Sequence, residues 1–215
     1  MTKLSLADIR KDYSKASLNE NDVADNPFQQ FEKWFNEVLH SAVDEPNAMT
    51  LATASSDGYI SARIVLLKGF DQAGFYFYTN YESKKAQQIK ENPRGALVFF
   101  WKELERQVRI EGNIIKASAE NSNTYFQSRP KKSRIGAWAS PQSRVIPGRS
   151  FLEEKVKELE DQFKNSTVER PVFWGGYILQ PIVVEFWQGR SNRLHDRIQY
   201  TLEAAGHWKI KRLAP

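Results

Sequence analysis

The chain has 215 residues, of which 40% are hydrophobic, 13% aromatic and 27% charged, and its formal net charge is +5. The length suits one domain of barrel or sandwich type, and a mean hydropathy of -0.60 without a long apolar run argues against a membrane span. The absence of cysteine excludes disulfides, zinc–thiolate sites and thiol nucleophiles. We expect a cytoplasmic protein, because the N-terminus carries no secretory signal pattern.

The first predicted element follows a polar stretch, residues 1–25, which we expect to be a mobile arm or lid. Asn26 and Pro27 are typical of a helix start, and apolar residues at helical spacing follow them. From Ala48 onwards the pattern changes to short strands separated by turn residues, with one short helix after Ser83.

Residues 119–164 are predicted to be mainly helical, with a capping box of Ser150 and Glu153 in the last helix. The remaining sequence returns to four strands, "GGYILQ", "IVVEFWQ", "RIQYTLEA" and "WKIKRLA". Strands about ten residues apart, with helices inserted as a block, favour an antiparallel β-barrel with peripheral helices. We therefore predict a mainly β fold with helices, and a single domain over residues 26–215.

Several catalytic signatures are missing from the sequence. It has neither a GxxxxGK[ST] loop nor a GxGxxG after a strand, which disfavours ATP-dependent phosphoryl transfer and a Rossmann NAD enzyme. His40, His195 and His207 are not at metal-ligand spacing, so no metal site is predicted. A serine hydrolase is disfavoured because no GxSxG occurs.

Cationic residues are the remaining candidates for chemistry. Arg63 and Lys68 are five residues apart, which places them on opposite faces of an ideal strand unless a bulge intervenes. Lys84 and Lys85 follow Ser83 at a predicted helix start, where unpaired N–H groups and two ammonium groups would attract an anion. Exposed, solvated lysines and arginines explain both patterns as well.

A second basic segment places Tyr125, Arg129 and Ser133 at intervals of four residues. Helical spacing would align the three donors on one face, although Pro130 requires a helix break within the second interval. A phenol, a guanidinium and a hydroxyl together suit a phosphate dianion. A basic surface loop is an equally good interpretation of this segment taken alone.

The most cationic stretch is "FWQGRSNRLHDR" near the C-terminus. In it Arg193, His195 and Arg197 alternate, so on a strand all three would face one side. Such a face is unfavourable without an anion or a carboxylate, which favours a functional role for the three side chains. The Asp196 side chain would point to the opposite face of the strand and have a structural role.

A set of longer motifs resembles the pyridoxine/pyridoxamine 5′-phosphate oxidase family. They are "RIVLLK", "FYTN…SKKA", "ERQVRIEG", "YFQSRP", "FWGGY", "EFWQG…RLHDR" and the terminal "RLAP", in order and in register from about Ala48 to Pro215. The resemblance implies an FMN-binding antiparallel split β-barrel and a homodimer with FMN at the subunit interface, with no nucleic acid or membrane partner. It implies oxidation of pyridoxine or pyridoxamine 5′-phosphate to pyridoxal 5′-phosphate. Oxygen would be reduced to hydrogen peroxide, ammonia would leave from the amine, and the reaction would serve vitamin B6 salvage or biosynthesis.

The resemblance also assigns residues. To FMN it assigns Arg63, Ile64, Val65, Leu66, Leu67, Lys68, Tyr78, Thr79, Lys84, Lys85, Gln107, Gln142, Ser143, Trp187 and Arg197. To the substrate it assigns Arg10, Tyr13, Lys68, Tyr125, Arg129, Ser133, Arg193, Leu194 and His195. Arg193 and His195 are the expected catalytic residues, the first orienting the ring and stabilising charge and the second assisting by hydrogen bonding. Lys84 departs from the family, in which arginine is common at this position.

Three alternatives stay open. The chain is compatible with a split-barrel flavin reductase that uses a different acceptor, or with a non-catalytic protein that binds FMN or pyridoxal phosphate. A third alternative is a barrel that binds single-stranded nucleic acid through basic and aromatic residues. The "RLHDR" motif and the Tyr125, Arg129 and Ser133 set favour the oxidase, because they suit a phosphorylated B6 vitamer.

Overall fold

The computed structural model describes residues 12–215, which form five α-helices and nine β-strands. The helices are α1 Pro27–Leu39, α2 Lys84–Glu91, α3 Ala119–Ser128, α4 Lys131–Ala139 and α5 Arg149–Gln162. The strands are β1 Ala48–Ala54, β2 Ile60–Leu66, β3 Gly69–Asp71, β4 Gly74–Asn80, β5 Arg94–Trp101, β6 Arg106–Lys116, β7 Trp174–Gln188, β8 Asp196–Leu202 and β9 Trp208–Arg212. Within residues 12–215, no helix is both long enough and apolar enough to cross a bilayer.

All nine strands belong to one sheet. Its order is β2-β1-β5-β6-β7-β4-β3, with β8 paired to β7 and β9 paired to β8. The first half of β7 runs antiparallel to β4, with Phe75 opposite Leu179, and its second half runs antiparallel to β8, with Val183 opposite Thr201. The predicted mainly β fold with antiparallel pairing and inserted helices is confirmed.

The chain divides into two compact units. The first contains Met1–Ala48, Leu97–Ile110 and Ile182–Pro215, and the second contains Met49–Ala96 and Glu111–Pro181. Strands β5, β6 and β7 therefore have residues in both units. The single domain over residues 26–215 and the mobile arm over residues 1–25 stay predictions.

Helix α1 supplies much of the core of the first unit. It begins as predicted, because the Asn26 side chain accepts a hydrogen bond from the Phe28 N–H and Pro27 occupies the first turn. Phe31 is fully buried, and its ring centroid lies 5.2 Å from that of Phe99 on β5. Packing of these aromatic faces removes a large apolar area from water, which is the main stabilising contribution of the helix.

Helices α3, α4 and α5 share an apolar cluster in the second unit. Its buried members are Phe126, Ile135, Val168 and Trp174. Val156, Leu159 and Phe163 pack against this cluster from α5 and its end. The cluster anchors the helices that contribute side chains to the candidate site.

Two predicted element boundaries are wrong. Helix α5 begins at Arg149 with Gly148 at the N-cap position and no side-chain cap, so Ser150 lies inside the first turn instead of capping it. The Arg149 side chain instead pairs with Glu153 at 3.0 Å. The two strands predicted on either side of Pro181 are one strand, β7. Pro181 lies between the residues paired with β4 and those paired with β8, so its missing N–H removes no hydrogen bond from these two ladders.

Candidate functional site

The second unit contains a cavity of about 660 Å³, a volume typical of small-molecule sites. It is lined by β2, β4, α2, α3, α4, the segment after α4 and the start of β7. The lining residues are Arg63, Ile64, Val65, Leu66, Lys68, Tyr78, Thr79, Asn80, Lys85, Tyr125, Arg129, Ser133, Gly136, Ala137, Ser140, Gln142 and Trp174. Twelve of these seventeen were assigned to FMN or to the substrate on the sequence.

The cavity is strongly electropositive. Four lining side chains are cationic, namely Arg63, Lys68, Lys85 and Arg129, and the described part of its wall includes no carboxylate. Cations brought together away from water repel one another and lose hydration, and an anion between them offsets both costs. The cavity therefore suits one or more anionic ligands.

Arg63 and Lys85 are held by neutral acceptors. The Arg63 guanidinium donates to the Leu51 carbonyl oxygen at 3.1 Å and to Thr53 Oγ1 at 2.7 Å. Lys85 Nζ donates to Thr79 Oγ1 at 3.1 Å and lies 3.3 Å from its second acceptor, Gln142 Oε1. These contacts orient both cations without neutralising them, so their charge remains available to a ligand.

Burial changes the acid–base properties of these cations. It lowers the pKa of Lys85 from 10.5 to about 8, with a smaller contribution from the nearby positive charge of Arg63. Burial also lowers the pKa of Arg63 and of Arg129. An anion in the cavity would favour the charged form of Lys85 and reverse part of its shift.

Arg129 lies on a stack of aromatic rings. Its guanidinium carbon is 4.8 Å from the Trp174 ring centroid, and its buried Nη1 has no hydrogen-bond partner among the described residues. The rings of Tyr125 and Tyr78 stack with centroids 4.0 Å apart, and burial raises the pKa of both hydroxyls. A buried N–H without a partner is costly, so this guanidinium is prepared to donate to a ligand oxygen.

The structure brings the predicted ligand-binding side chains into one cavity, but through breaks in the strand and in the helices that residue spacing did not indicate. Strand β2 ends at Leu66, so Arg63 and Lys68 line the same cavity rather than opposite faces of one strand. Tyr125, Arg129 and Ser133 also line it together, although α3 ends at Ser128 and α4 begins at Lys131. The break at Pro130 turns the chain so that residues of two helices face one cavity.

Six residues assigned to FMN lie outside this lining, and three of them belong to the second unit. Lys84 Nζ lies 4.9 Å from the Tyr59 ring centroid and borders a separate hollow of about 430 Å³. Leu67 is buried, and Ser143 adopts a positive φ of 73° after Gln142. Ser83 occupies the N-cap position of α2, but its hydroxyl donates to the Asn80 carbonyl oxygen instead of capping. Of the predicted lysine pair, only Lys85 faces the cavity.

The first unit carries a cluster of aromatic rings beside the end of β7. The ring centroids of Trp187 and His195 are 4.6 Å apart, and Tyr13 lies edge-on to both at 5.8 and 5.9 Å. The Arg190 backbone N–H donates to His195 Nδ1 at 3.1 Å. The neutral ring therefore carries its proton on Nε2 and presents a donor there.

The predicted common strand face of Arg193, His195 and Arg197 is wrong. Strand β8 begins only at Asp196, and residues 191–193 form a 3-10 turn. Asn192 and Arg193 have positive φ values of 55° and 60°, a conformation that redirects the chain and ends the alternation. Arg193 and the neighbouring Leu194 are both exposed.

Arg197 has an internal counter-ion. Its Nε and Nη2 donate to the two carboxylate oxygens of Glu185 at 2.8 and 3.0 Å, which raises the pKa of Arg197. Asp196 has the structural role predicted for it, since it accepts from the Leu18 N–H and pairs with Arg212.

Gln107 is half-buried on β6, and Arg10 lies outside the described residues. The ligand contacts assigned to Arg197 and Gln107 stay predictions.

The sequence interpretation assigned no role to Asn80, Gly136, Ala137, Ser140 and Trp174, which also line the cavity. The motif "FWGGY" could have indicated that Trp174 lines the cavity, because its two glycines mark a place where other side chains pack closely. A Cβ on Gly176 would lie 2.8 Å from the Tyr78 ring, and one on Gly175 would lie 2.1 Å from the Tyr81 hydroxyl. The glycine pair thus allows two tyrosines to pack on the start of β7, directly after Trp174.

Two family models match the chain. The model "Pyridoxamine 5'-phosphate oxidase" matches residues 35–163, and "Pyridoxine 5'-phosphate oxidase C-terminal dimerisation region" matches residues 174–215. The chain belongs to the pyridoxine/pyridoxamine 5′-phosphate oxidase family. Family membership confirms the predicted enzyme class, an oxidoreductase, and the dimerisation region supports a homodimer.

Relatives of the family are similar over nearly their whole length. A pyridoxine/pyridoxamine 5′-phosphate oxidase of Salinibacter ruber is 53% identical over 212 residues, covering 98% of this chain and 99% of the relative. One of Burkholderia mallei is 56% identical over 213 residues, with the same coverage.

Solved structures resemble the model as well. PhzG from Burkholderia lata, in complex with tetrahydrophenazine-1-carboxylic acid, has a TM-score of 0.88 at 28% identity, covering 94% of this chain and 99% of its own. A pyridoxamine 5′-phosphate oxidase-related, FMN binding protein from Nostoc punctiforme has a TM-score of 0.71 at 18% identity, covering 90% of this chain and all of its own. The likeness confirms the predicted fold class, the antiparallel split β-barrel with peripheral helices.

Lys85 provides a pH-dependent test of the cavity. Its pKa of about 8 in the folded chain lies below the ordinary 10.5, so the unfolded chain binds more protons between these values and stability rises with pH there. From pH 8 to 10.5, the free energy of unfolding of ligand-free protein should rise by about 2 kcal/mol more than in Lys85→Met, after a discount for solvent screening. Urea unfolding at the two pH values measures this difference. Equal pH dependence in both proteins would contradict the burial of a charged Lys85.

Proposed function

We propose that this chain oxidises pyridoxine 5′-phosphate or pyridoxamine 5′-phosphate to pyridoxal 5′-phosphate, with FMN as cofactor and oxygen as acceptor. Hydrogen peroxide is the second product, and ammonia leaves when the amine is the substrate. The observation that carries the proposal is the cavity lined by four cations without a carboxylate from the described chain. FMN and the substrate each bring one phosphate, so two dianions match this lining in charge.

The residues present fit FMN. Arg63 and Lys85, oriented by Thr79 and Gln142, would hold its phosphate through charge-assisted hydrogen bonds. The backbone and side chains of residues 64–66 would border the rest of the cofactor. When bound, FMN supplies a two-electron acceptor for the hydride from the substrate C4′, which the protein's own side chains lack.

A second set of side chains would bind the substrate phosphate. The buried Nη1 of Arg129 gains an acceptor when a phosphate oxygen reaches it, and the Tyr125 hydroxyl remains a proton donor because burial raises its pKa. Lys68 and Ser133 line the same cavity and add a cation and a hydroxyl. Holding the phosphate fixes the distant end of the substrate, which contributes to the rate by orientation.

Arg193 and His195 have the catalytic roles that the family resemblance assigns to them. His195 contributes a directed N–H, because the Arg190 backbone N–H occupies Nδ1 and leaves the proton on Nε2. Arg193 would orient the pyridine ring and stabilise negative charge that develops on it. We propose further that the active form is a homodimer with FMN at the subunit interface, in the cytoplasm.

One assay tests the proposed function. The FMN-loaded protein is mixed with pyridoxine 5′-phosphate in air, and the aldehyde and hydrogen peroxide are both measured. Equal amounts of the two products are expected, and unphosphorylated pyridoxine should react with a kcat/KM lower by about 100-fold or more, because it leaves buried donors unpaired. A yellow protein without turnover would indicate a carrier. Turnover of tetrahydrophenazine-1-carboxylic acid but not of B6 vitamers would indicate a substrate like the molecule bound in the PhzG structure.

Arg129 tests the substrate phosphate site. In Arg129→Gln, the KM for pyridoxine 5′-phosphate should rise by about tenfold or more, because a charge-assisted hydrogen bond is lost. The matched control is Lys132→Gln, which removes a charge three residues away from an exposed side chain outside the cavity lining. Equal KM values for the two variants would remove Arg129 from the phosphate site.

Arg193 tests the catalytic assignment. Arg193→Gln should lower kcat by about 100-fold, as loss of a preorganised charge at the reacting group does. Flavin absorbance of the purified variant should match that of the wild type, since no contact to the cofactor is assigned to Arg193. Unchanged turnover would exclude Arg193 from the mechanism.

A further inference from the structure

Glu105 combines two unfavourable features at one position. It follows the 3-10 turn of residues 102–104 and has left-handed backbone angles, with φ 56° and ψ 40°. Its side chain belongs to the buried set, with only 2% of the residue exposed. A non-glycine residue in this conformation and a buried carboxylate are both costly unless specific contacts hold them.

The Glu105 carboxylate binds the N-terminal segment. Its Oε2 accepts hydrogen bonds from the backbone N–H groups of Ser14, at 2.9 Å, and Lys15, at 3.1 Å. The Lys15 ammonium donates to the carbonyl oxygen of Glu103 on the same turn. Hydrogen bonds to an ionised acceptor are about twice as strong as neutral ones. One carboxylate thus holds two consecutive backbone groups that lie ninety residues away in sequence.

The backbone of Glu105 contacts the segment that follows β7. Its carbonyl oxygen accepts from the Gly189 N–H at 2.8 Å and from Gln188 Nε2 at 3.3 Å. Through its side chain and its backbone, Glu105 therefore connects residues 14–15 to the start of the turn that carries Arg193 and His195.

Gly189 gives Tyr13 room to pack. A Cβ at position 189 would lie 2.8 Å from both Cβ and Cγ of Tyr13 and 3.1 Å from Cβ of Glu105. Only a residue without a side chain permits this close approach. The Tyr13 ring is consequently placed edge-on to Trp187 and His195.

We propose that Glu105 is a positioning residue: it holds the backbone of residues 14–15 so that the Tyr13 ring stays against His195 and Trp187. The kinetic consequence rests on the proposed function, in which Tyr13 contacts the substrate. The structural consequence does not depend on that function.

The next part of the segment has its own attachment. The Leu18 N–H donates to Asp196, and the Leu18 carbonyl oxygen accepts from Arg212 Nη2 at 3.0 Å. Arg212 also pairs with Glu20 at 2.6 Å. Loss of the Glu105 side chain should therefore release the Ser14 and Lys15 backbone and leave residues 18–22 attached, which gives the test an internal reference.

The structural test uses amide hydrogen exchange of the FMN-loaded full-length protein. The variant is Glu105→Gly, because glycine accepts the left-handed backbone and removes only the side chain. The amides of Ser14 and Lys15 should exchange about tenfold faster or more, as expected for lost hydrogen bonds to a charged acceptor. Exchange in residues 18–22 should be unchanged. Unchanged exchange at residues 14–15 would overturn the proposal, and so would faster exchange spread evenly over the whole chain.

Two further variants sharpen the same measurement. Glu103→Gly removes an exposed carboxylate from the same turn and should leave exchange at residues 14–15 at its wild-type rate. Glu105→Gln keeps one acceptor oxygen and should restore part of the protection. If amide exchange at residues 14–15 is accelerated equally in Glu103→Gly and Glu105→Gly, the effect belongs to the turn as a whole. That result would contradict a specific role for Glu105.

The kinetic test is a double-mutant cycle between Tyr13→Ala and Glu105→Gly. If Glu105 acts through Tyr13, each variant lowers kcat/KM for pyridoxine 5′-phosphate by about tenfold, and the double variant is no worse than Tyr13→Ala. Independent effects that multiply to about 100-fold would overturn the positioning role. If the wild type shows no oxidase activity, the proposed function fails, and the exchange test alone decides the role of Glu105.

Discussion

A group of cations shares one cavity to which the described residues contribute no carboxylate, and this uncompensated positive charge governs the interpretation of the structure. Arg63, Lys68, Lys85 and Arg129 line one cavity, and only neutral acceptors are seen to orient the first and third of them. Hydrogen bonds to neutral groups fix direction but leave the net charge in place. The lowered pKa of Lys85 and the orphaned Nη1 of Arg129 are two signs of this unsatisfied state. An anionic ligand relieves both, which is why the cavity is interpreted as a binding site and not as part of the core.

Cations elsewhere in the chain show a contrasting solution. Arg197 donates hydrogen bonds to both carboxylate oxygens of the buried Glu185. Arg212 forms ion pairs with Glu20 and Asp196. At these two positions a carboxylate within hydrogen-bond distance compensates the positive charge. The described cavity wall offers its four cations no such partner, which favours an anionic ligand there.

The sequence predicted the secondary-structure elements more reliably than the directions in which individual side chains point. Helix α1 and the antiparallel strand pairs follow from periodicity and turn residues, and motif resemblance found most of the cavity lining. The common face of Arg193, His195 and Arg197 could not be judged correctly, because left-handed angles at Asn192 and Arg193 are set by tertiary contacts rather than residue type. Lys84 does not line the cavity beside Lys85 for a related reason. Its direction depends on Tyr59, a residue on a separate hairpin whose position local spacing cannot give. Glu105 begins the motif "ERQVRIEG", but local spacing could not indicate its contacts, since its backbone partners in the N-terminal segment lie about ninety residues away.

Calorimetric titration of the flavin-free protein with FMN and with riboflavin measures whether the cationic cavity recognises a phosphate group. The two ligands share the ring system and differ only in the phosphate, so the comparison isolates the anion that the cavity is proposed to bind. We predict one FMN per chain and an affinity for riboflavin lower by about 100-fold or more, because two cations lose their charge-assisted partners. Equal affinity for the two flavins would contradict the account, since it would show that the cationic cavity does not recognise phosphate.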